Sequence, residues 1–388
     1  MTLVFLIYHY FPYGGQQRDF LRVLKECVAR GHQARVYTMG WEGERPQGVE
    51  IDILPIKAWR RHTQYERFAR EVAGRLTTLP ADAVIGFNRM PGLDIYYAAD
   101  SCFAEKVENG RGFYYRFTGR ARHFLAFERA VFGEGARTSA LVLSPLQKSG
   151  YAHHYPACSG RLYEIPPGLG RDRQAPDDLP ARRAAFRRQH GFAADDILLL
   201  QVGSGFVIKG VDRSLRAIAA LPERLRNRVT FLVVGQDKPA KFQRLAEQLG
   251  IADRCRFLGG RSDVPDFLFG CDLLLHPAYS ESAGYTLLEA TVAGLPVLTT
   301  DTCGYAFHIE RAQSGQVCPS PFRQQDLDGR LQGMLESLAG APWSRNGIDY
   351  GRTAELYDMP QAVADLIEVL VDRGRSGRMA ASDREATA

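Results

Sequence analysis

The chain has 388 residues, with 49 Lys+Arg against 44 Asp+Glu, a formal net charge of +5, and 45% hydrophobic residues. That length exceeds one ordinary core, so two domains are expected, and the mild positive charge suits an enzyme handling anions or a protein visiting an anionic surface. Seven scattered cysteines without a C-x-x-C argue against a disulfide framework or a zinc site, and point to a reducing compartment. No run approaches the length of a transmembrane helix. The apolar start MTLVFLIYHYF lacks a basic flank and a cleavage site, so it reads as a buried strand.

Taken in chain order, LVFLIY (3–8) predicts a strand, followed by the loop FPYGGQQ and a helix ended by Gly31. ARVYTM (34–39), EIDILPI (50–56), DAVIGF (82–87) and SALVLS (139–144) predict further strands, with a helix near 64–79. Continuous apolar strands separated by helices mean a parallel sheet covered on both faces. The Pro-, Gly- and Arg-rich segment 166–182 reads as linker and domain boundary. The pattern then restarts with DILLLQVGS (196–204), RVTFLVVG (228–235), CRFLGG, CDLLLHP and LPVLTT, and ends in helices near 323–340 and 360–372. The expected division is 1–167, 168–359, a helix at 360–372 packing back on the first domain, and a disordered tail at 374–388. Both halves read as doubly wound α/β domains facing across a cleft, where ligands bind beyond the carboxyl ends of strands.

Three loops offer chemistry. Gly14-Gly15 follow the first strand and open a helix, which suits close backbone approach to an anion or a simple tight turn. Asp19, one turn on, looks into the cleft or complements the helix dipole. In QVGSGFVIKG the third dinucleotide glycine is replaced by Ile208, and no Ser/Thr follows Lys209, so neither the dinucleotide fingerprint nor a Walker loop is met. A lysine at a helix start opposes the dipole, a conflict that a bound phosphate relieves; the bland reading is an exposed lysine.

The third loop, ESAGYTLLEA, places Glu281 before a helix and Glu289 inside it. Its amides suit a diphosphate and its carboxylates suit sugar or ribose hydroxyls, better than they suit a hydrolytic acid/base pair; the bland alternative is two helix acids with no ligand. Asp326-Leu-Asp328 reads as a solvated helix face, and His9, His153 and His154 lack metal-ligand spacing. Residues 103–132 interleave six Lys/Arg with eight Phe/Tyr. That composition suits a membrane headgroup interface first, a half-buried core second, and nucleic acid least.

YFPYGGQQRDF, GFNRMPGLDIYYAAD, VGQDKP, LLLHPAY, GLPVLTTDTCGYAFHI and Glu-x7-Glu together resemble the lipopolysaccharide core glucosyltransferase I family, retaining GT-B glycosyltransferases of family four, over residues 1–370. The resemblance implies a metal-independent, cofactor-free enzyme that is cytoplasmic and peripheral on the inner face of the inner membrane. It would move a hexose, usually glucose from UDP-glucose, onto heptose II of a heptosylated lipid A-core acceptor. A UDP-N-acetylhexosamine donor, another lipid-linked glycan acceptor and a non-catalytic sugar binder are the alternatives, and no nucleic acid partner is expected.

By the same resemblance, Gly15 contacts the diphosphate and Asp19 lies near donor sugar and acceptor. Lys209 and Arg173 neutralise phosphate, and Glu281 holds donor-sugar hydroxyls. Amides at Ala283, Gly284, Tyr285 and Thr286 contact sugar and phosphates, while Glu289 binds ribose. Asp100 lines the acceptor side, and Lys106, Arg111, Tyr114, Tyr115, Arg116, Arg120 and Arg122 meet the membrane. Many relatives carry Arg-Lys where this chain has Ile208-Lys209, which removes one bidentate phosphate ligand.

Overall fold

The computed structural model of the chain describes residues 1–12, 14–109 and 113–385. They form two compact units, one comprising Met1–Gly168 and the chain from Asp358 onward, the other Leu169–Tyr357.

In the first unit the chain runs β1 (Thr2–Leu6), α1 (Gly15–Ala29), β2 (Gln33–Thr38), β3 (Val49–Ile53), α2 (Arg61–Thr78), β4 (Ala83–Gly86) and β5 (Ile95–Ala98). It continues through α3 (Phe103–Asn109), α4 (Gly119–Phe132), β6 (Ser139–Val142), α5 (Pro145–His154) and β7 (Leu162–Glu164). The strands form one seven-stranded sheet in the order β3-β2-β1-β4-β5-β6-β7, and every pairing is parallel. Residues Leu3 to Ile7 are all but fully buried, as a strand covered on both faces requires. The order reverses between β1 and β4, which places the switch point beside the Gly14-Gly15 loop.

The segment after β5 is anchored from inside. Glu128 of α4, with no exposed side-chain surface, is ion-paired to Arg89. It also accepts from the amides of Phe103 (2.7 Å) and Ala104 (2.8 Å) at the start of α3, and from the Tyr155 hydroxyl (3.0 Å). A carboxylate at those amides complements the start of the helix, so one buried side chain ties α3, α4, the end of α5 and the loop after β4 together.

The second unit contains α6 (Leu179–Gln189), β8 (Ile197–Val202), α7 (Val211–Ala219), α8 (Glu223–Arg226), β9 (Val229–Val234), α9 (Ala240–Gln248), β10 (Cys255–Phe257) and α10 (Val264–Gly270). Then come β11 (Leu273–His276), α11 (Tyr285–Val292), β12 (Val297–Thr300), α12 (Ala306–Ala312), β13 (Gly315–Cys318), α13 (Gln324–Ser337) and α14 (Trp343–Thr353). Its six strands, again all parallel, follow the order β10-β9-β8-β11-β12-β13. The switch point falls between β8 and β11. Segment 166–182 is no free linker past Gly168. Leu169 donates to the Leu356 carbonyl (2.8 Å) and Ala175 to the Val292 carbonyl (2.9 Å), which straps the segment onto this unit.

The last helix, α15 (Met359–Glu385), returns to the first unit and lies along α1. Arg30 bonds Asp365 at 2.5 Å and His32 bonds Glu368 at 2.8 Å. The sequence predicts a helix end at 372 and a disordered tail at 374–388; the helix instead continues to Glu385, and 386–388 lie outside the described residues. Arg, Met, Ala and Glu dominate 378–385, and their helix propensity outweighs the polarity that pointed to disorder.

Candidate active site

The loops beyond β8 and β11 meet at Glu281. Lys209 bonds one carboxylate oxygen of Glu281, and His276 Nε2, on the last residue of β11, lies 2.7 Å from the other. A carboxylate only accepts, so Nε2 is the donor, and His276 Nδ1 is left buried without a partner. The sequence explains how these groups converge. Gly203 adopts φ 138°, and a Cβ there would lie 3.2 Å from Lys209 Cε, so glycine lets the lysine stem pass. Gln201 Nε2 holds the Lys209 carbonyl at 2.6 Å and is itself held by Ser214. Gly210, with φ 71°, caps α7 so close to the Pro277 carbonyl that a Cβ would lie 2.0 Å from it.

The backbone of Glu281 is fixed on both sides. Its amide donates to the Thr302 carbonyl (3.1 Å), and its carbonyl accepts from Gly304 (2.9 Å). Thr299 bonds the His276 carbonyl, while Thr300 and Thr302 both bond that of Ala278, at 2.7–2.9 Å. The end of β12 therefore supports the loop that carries the two acceptors.

Ala283 and Gly284 lead into α11, whose N-cap Gly284 has φ 100°. The amides of its first turn, at Tyr285 and Thr286, belong to the group that a helix leaves without intrahelical acceptors. One face further on, Glu289 Oε1 lies 3.4 Å from Arg173 Nε. Arg173 Nη1 is buried without a partner. Arg173 reaches α11 because Ala175 is pinned to Val292 and Gln174 to the Gly351 carbonyl. The site residues of this unit thus fall into two charge clusters, Lys209–Glu281–His276 and Arg173–Glu289, flanking one helix start.

In the first unit, α1 begins at Gly15 with Gly14 as N-cap. A Cβ on Gly14 would strike Gln17 and Phe11, whereas one on Gly15 meets nothing within 4 Å. Internal packing therefore demands glycine at Gly14 alone, and open space surrounds Gly15. Asp19 is buried and accepts from the Tyr97 hydroxyl at 2.8 Å. Asp100 keeps its carboxylate exposed, 3.9 Å from Arg89, while its carbonyl is held by Gln147 and Tyr151.

Segment 103–132 is partly core and partly surface. His123, Phe127, Val131 and Phe132 are buried, while Lys106, Tyr114, Arg116, Phe117, Arg120 and Arg122 are exposed and Tyr115 is half-buried. Arg111 lies outside the described residues. Asp326 and Asp328 sit on α13, Asp326 exposed and Asp328 bonded to Gln324.

Two chemical limits follow. Burial pushes the Glu281 carboxyl up, but His276 and Lys209 outweigh it and hold the group down at about 2. A general acid requires a raised pKa, so Glu281 is no proton donor and serves as an ionised acceptor. His276, Glu281 and Cys303 also bring potential metal-ligand atoms within 4.8 Å of one another. With Glu281 already shared between a lysine and a histidine, the trio fits a hydrogen-bonded cluster better than a coordination site.

Sequence reasoning assigned Lys209 and Glu281 to separate ligand atoms; the structure pairs them with each other. It missed His276, although a histidine ending a buried strand directly before Pro277 was the available signal.

Residues 182–346 match the family described as glycosyl transferases group 1. The lipopolysaccharide glucosyltransferase WaaG of Escherichia coli K12 is 46% identical over 368 residues, 95% of this chain and 98% of that protein. The crystal structure of WaaG, a glycosyltransferase involved in lipopolysaccharide biosynthesis, superposes with a TM-score of 0.87 over 94% of this chain and 99% of that one. HepE of Anabaena, solved with UDP and glucose, has a TM-score of 0.72 over 95% of this chain and 100% of that one, but at 17% identity it shares the fold alone. With two doubly wound parallel sheets and full-length identity at this level, the chain belongs to the WaaG family of lipopolysaccharide glucosyltransferases, enzymes of GT-B fold.

Proposed function

We propose that the protein transfers glucose from UDP-glucose to the second heptose of the lipopolysaccharide inner core, with retention of the α configuration. The observation that carries this reading is the Lys209–Glu281–His276 cluster at the β8/β11 switch point in a chain of this family. UDP is the leaving group, and negative charge grows on its β-phosphate as the glycosidic bond breaks. Lys209, Arg173 and the amides at the α11 start are the groups that neutralise that charge in a prearranged setting. Glu281, ionised and fixed, accepts from donor-sugar hydroxyls; Glu289 accepts from ribose. Open space at Gly15 admits the diphosphate, and Asp19 and Asp100 serve the sugar and acceptor side.

Two cationic side chains supply the charge a divalent ion supplies elsewhere, so the reaction needs neither metal nor cofactor. Among the described residues no helix is long and apolar enough to cross a membrane. Tyr114 and Phe117 are exposed at 83% and 59% beside Arg116, Arg120 and Arg122, which supports peripheral contact with the anionic inner leaflet from the cytoplasmic side.

The test is a panel of UDP-sugars with heptose-terminated truncated lipopolysaccharide, with and without EDTA, followed by product mass. A hexose increment from UDP-glucose, unchanged by EDTA, is expected. An N-acetylhexosamine increment alone moves the donor assignment to that sugar, loss of transfer in EDTA overturns metal independence, and no transfer with any donor overturns the function.

A further inference from the structure

The loop between β3 and α2 makes a second outward face on the first unit. Trp59 is fully exposed, at 106% relative accessibility the most open of the exposed large hydrophobic side chains among the described residues. Beside it Lys57, Arg60, Thr63 and Arg67 line a pocket of about 710 Å³. Thr63 and Arg67 lie four apart on one face of α2, whose N-cap is Arg60. Among the described residues, Lys57, Arg60, Arg61 and Arg67 make no ion pair. The nearby acid Glu66 is engaged by His123 at 2.9 Å.

This face is held in place. Gln64 Nε2 bonds the Ile56 carbonyl at 2.7 Å and Arg67 Nη1 that of Lys57 at 2.8 Å, so the loop is pinned to the helix that follows. It also adjoins the start of α4, since the His62 and His123 rings are 5.8 Å apart and a Cβ on Gly119 would lie 3.8 Å from His62 Nε2. An indole left in water beside unpaired cations, on a rigid loop, has the chemistry of a bilayer interface: phosphates meet the cations and the ring sits at headgroup depth.

We propose that Lys57, Trp59, Arg60 and Arg67 form a docking surface for the phosphate headgroups of an anionic bilayer. This rests on the peripheral-membrane reading above and adds a second contact, independent of the 114–122 stretch. Each added cation near an anionic leaflet multiplies partitioning by about fivefold.

The experiment is co-sedimentation of the full chain with vesicles of phosphatidylglycerol and, separately, of phosphatidylcholine. It compares the unaltered protein, Trp59→Ala, and Lys57→Glu/Arg60→Glu. The charge-reversed protein is expected to lose at least about tenfold of its partitioning to the anionic vesicles. Trp59→Ala is expected to bind them measurably less and to lose the blue shift of tryptophan emission on binding. All three proteins should transfer sugar equally to a deacylated, soluble acceptor. If the unaltered protein binds neither vesicle, the membrane reading falls and this proposal with it. If it binds anionic vesicles and both variants bind them equally well, this surface alone is overturned. Equal binding to both kinds of vesicle also overturns it, because the cations then do nothing.

Discussion

Lys209→Ala is expected to lower sugar transfer at least tenfold, and toward the hundred- to thousandfold range typical of a lost charge-stabilising donor, about 3–4 kcal/mol. In the unliganded protein Lys209 is the strong partner of Glu281. In the proposed reaction the same ammonium meets the phosphate charge that develops as UDP departs. Truncation removes a cation at both stages, but its carbonyl anchors to Gln201 through backbone and is kept. The fold should therefore survive, which an unchanged circular dichroism spectrum checks. His276 still bonds Glu281, so the carboxylate is not stranded. Ile208, exposed and next in sequence, offers no charge in compensation. Turnover equal to the unaltered protein would remove Lys209 from the chemistry.

Glu128→Ala should be the most damaging of these changes to stability. The side chain has no exposed surface and satisfies Arg89, two helix-start amides and the Tyr155 hydroxyl. Removing one partner of a buried pair leaves the other charge uncompensated, which costs about 3–5 kcal/mol. Arg89 is the stranded group here, with 10% of its side chain exposed. Thermal unfolding monitors this directly, at about 2–4 °C of midpoint per kcal/mol for a unit of this size. Because the same carboxylate holds the start of α3, proteolysis within 101–118 should also accelerate. A midpoint unchanged within a degree or so would show that Arg89 finds another partner, with Asp100 at 3.9 Å the nearest candidate.

The sequence was most legible where strands are apolar throughout. LVFLIY, DILLLQV and TFLVV read as buried parallel strands because water touches neither face. β5 escaped notice because Tyr96 and Tyr97 look amphipathic in sequence, yet both are fully buried. β13 is short and begins with glycine, since a Cβ on Gly315 would lie 1.9 Å from the Val297 carbonyl. α14 is rich in poor helix formers for a packing reason: Cβ atoms on Gly347 and Gly351 would press on the α11 backbone and on Val292. The glycine loops and both glutamates were visible as candidates because helix-start chemistry is local. Their pairing was not, because Lys209 and Glu281 are 72 residues apart and meet only through the sheet order.

In the proposed division of labour Glu281 serves the transferred sugar and leaves the nucleotide to Arg173, Glu289 and the α11 amides. Calorimetric titration of UDP into Glu281→Gln, alongside a transfer assay, tests it most directly. UDP affinity is expected to stay within about threefold of the unaltered protein, with transfer reduced at least about tenfold, as loss of a charged hydrogen-bond acceptor to the sugar requires. Loss of UDP binding in this variant would contradict it and move Glu281 to the nucleotide.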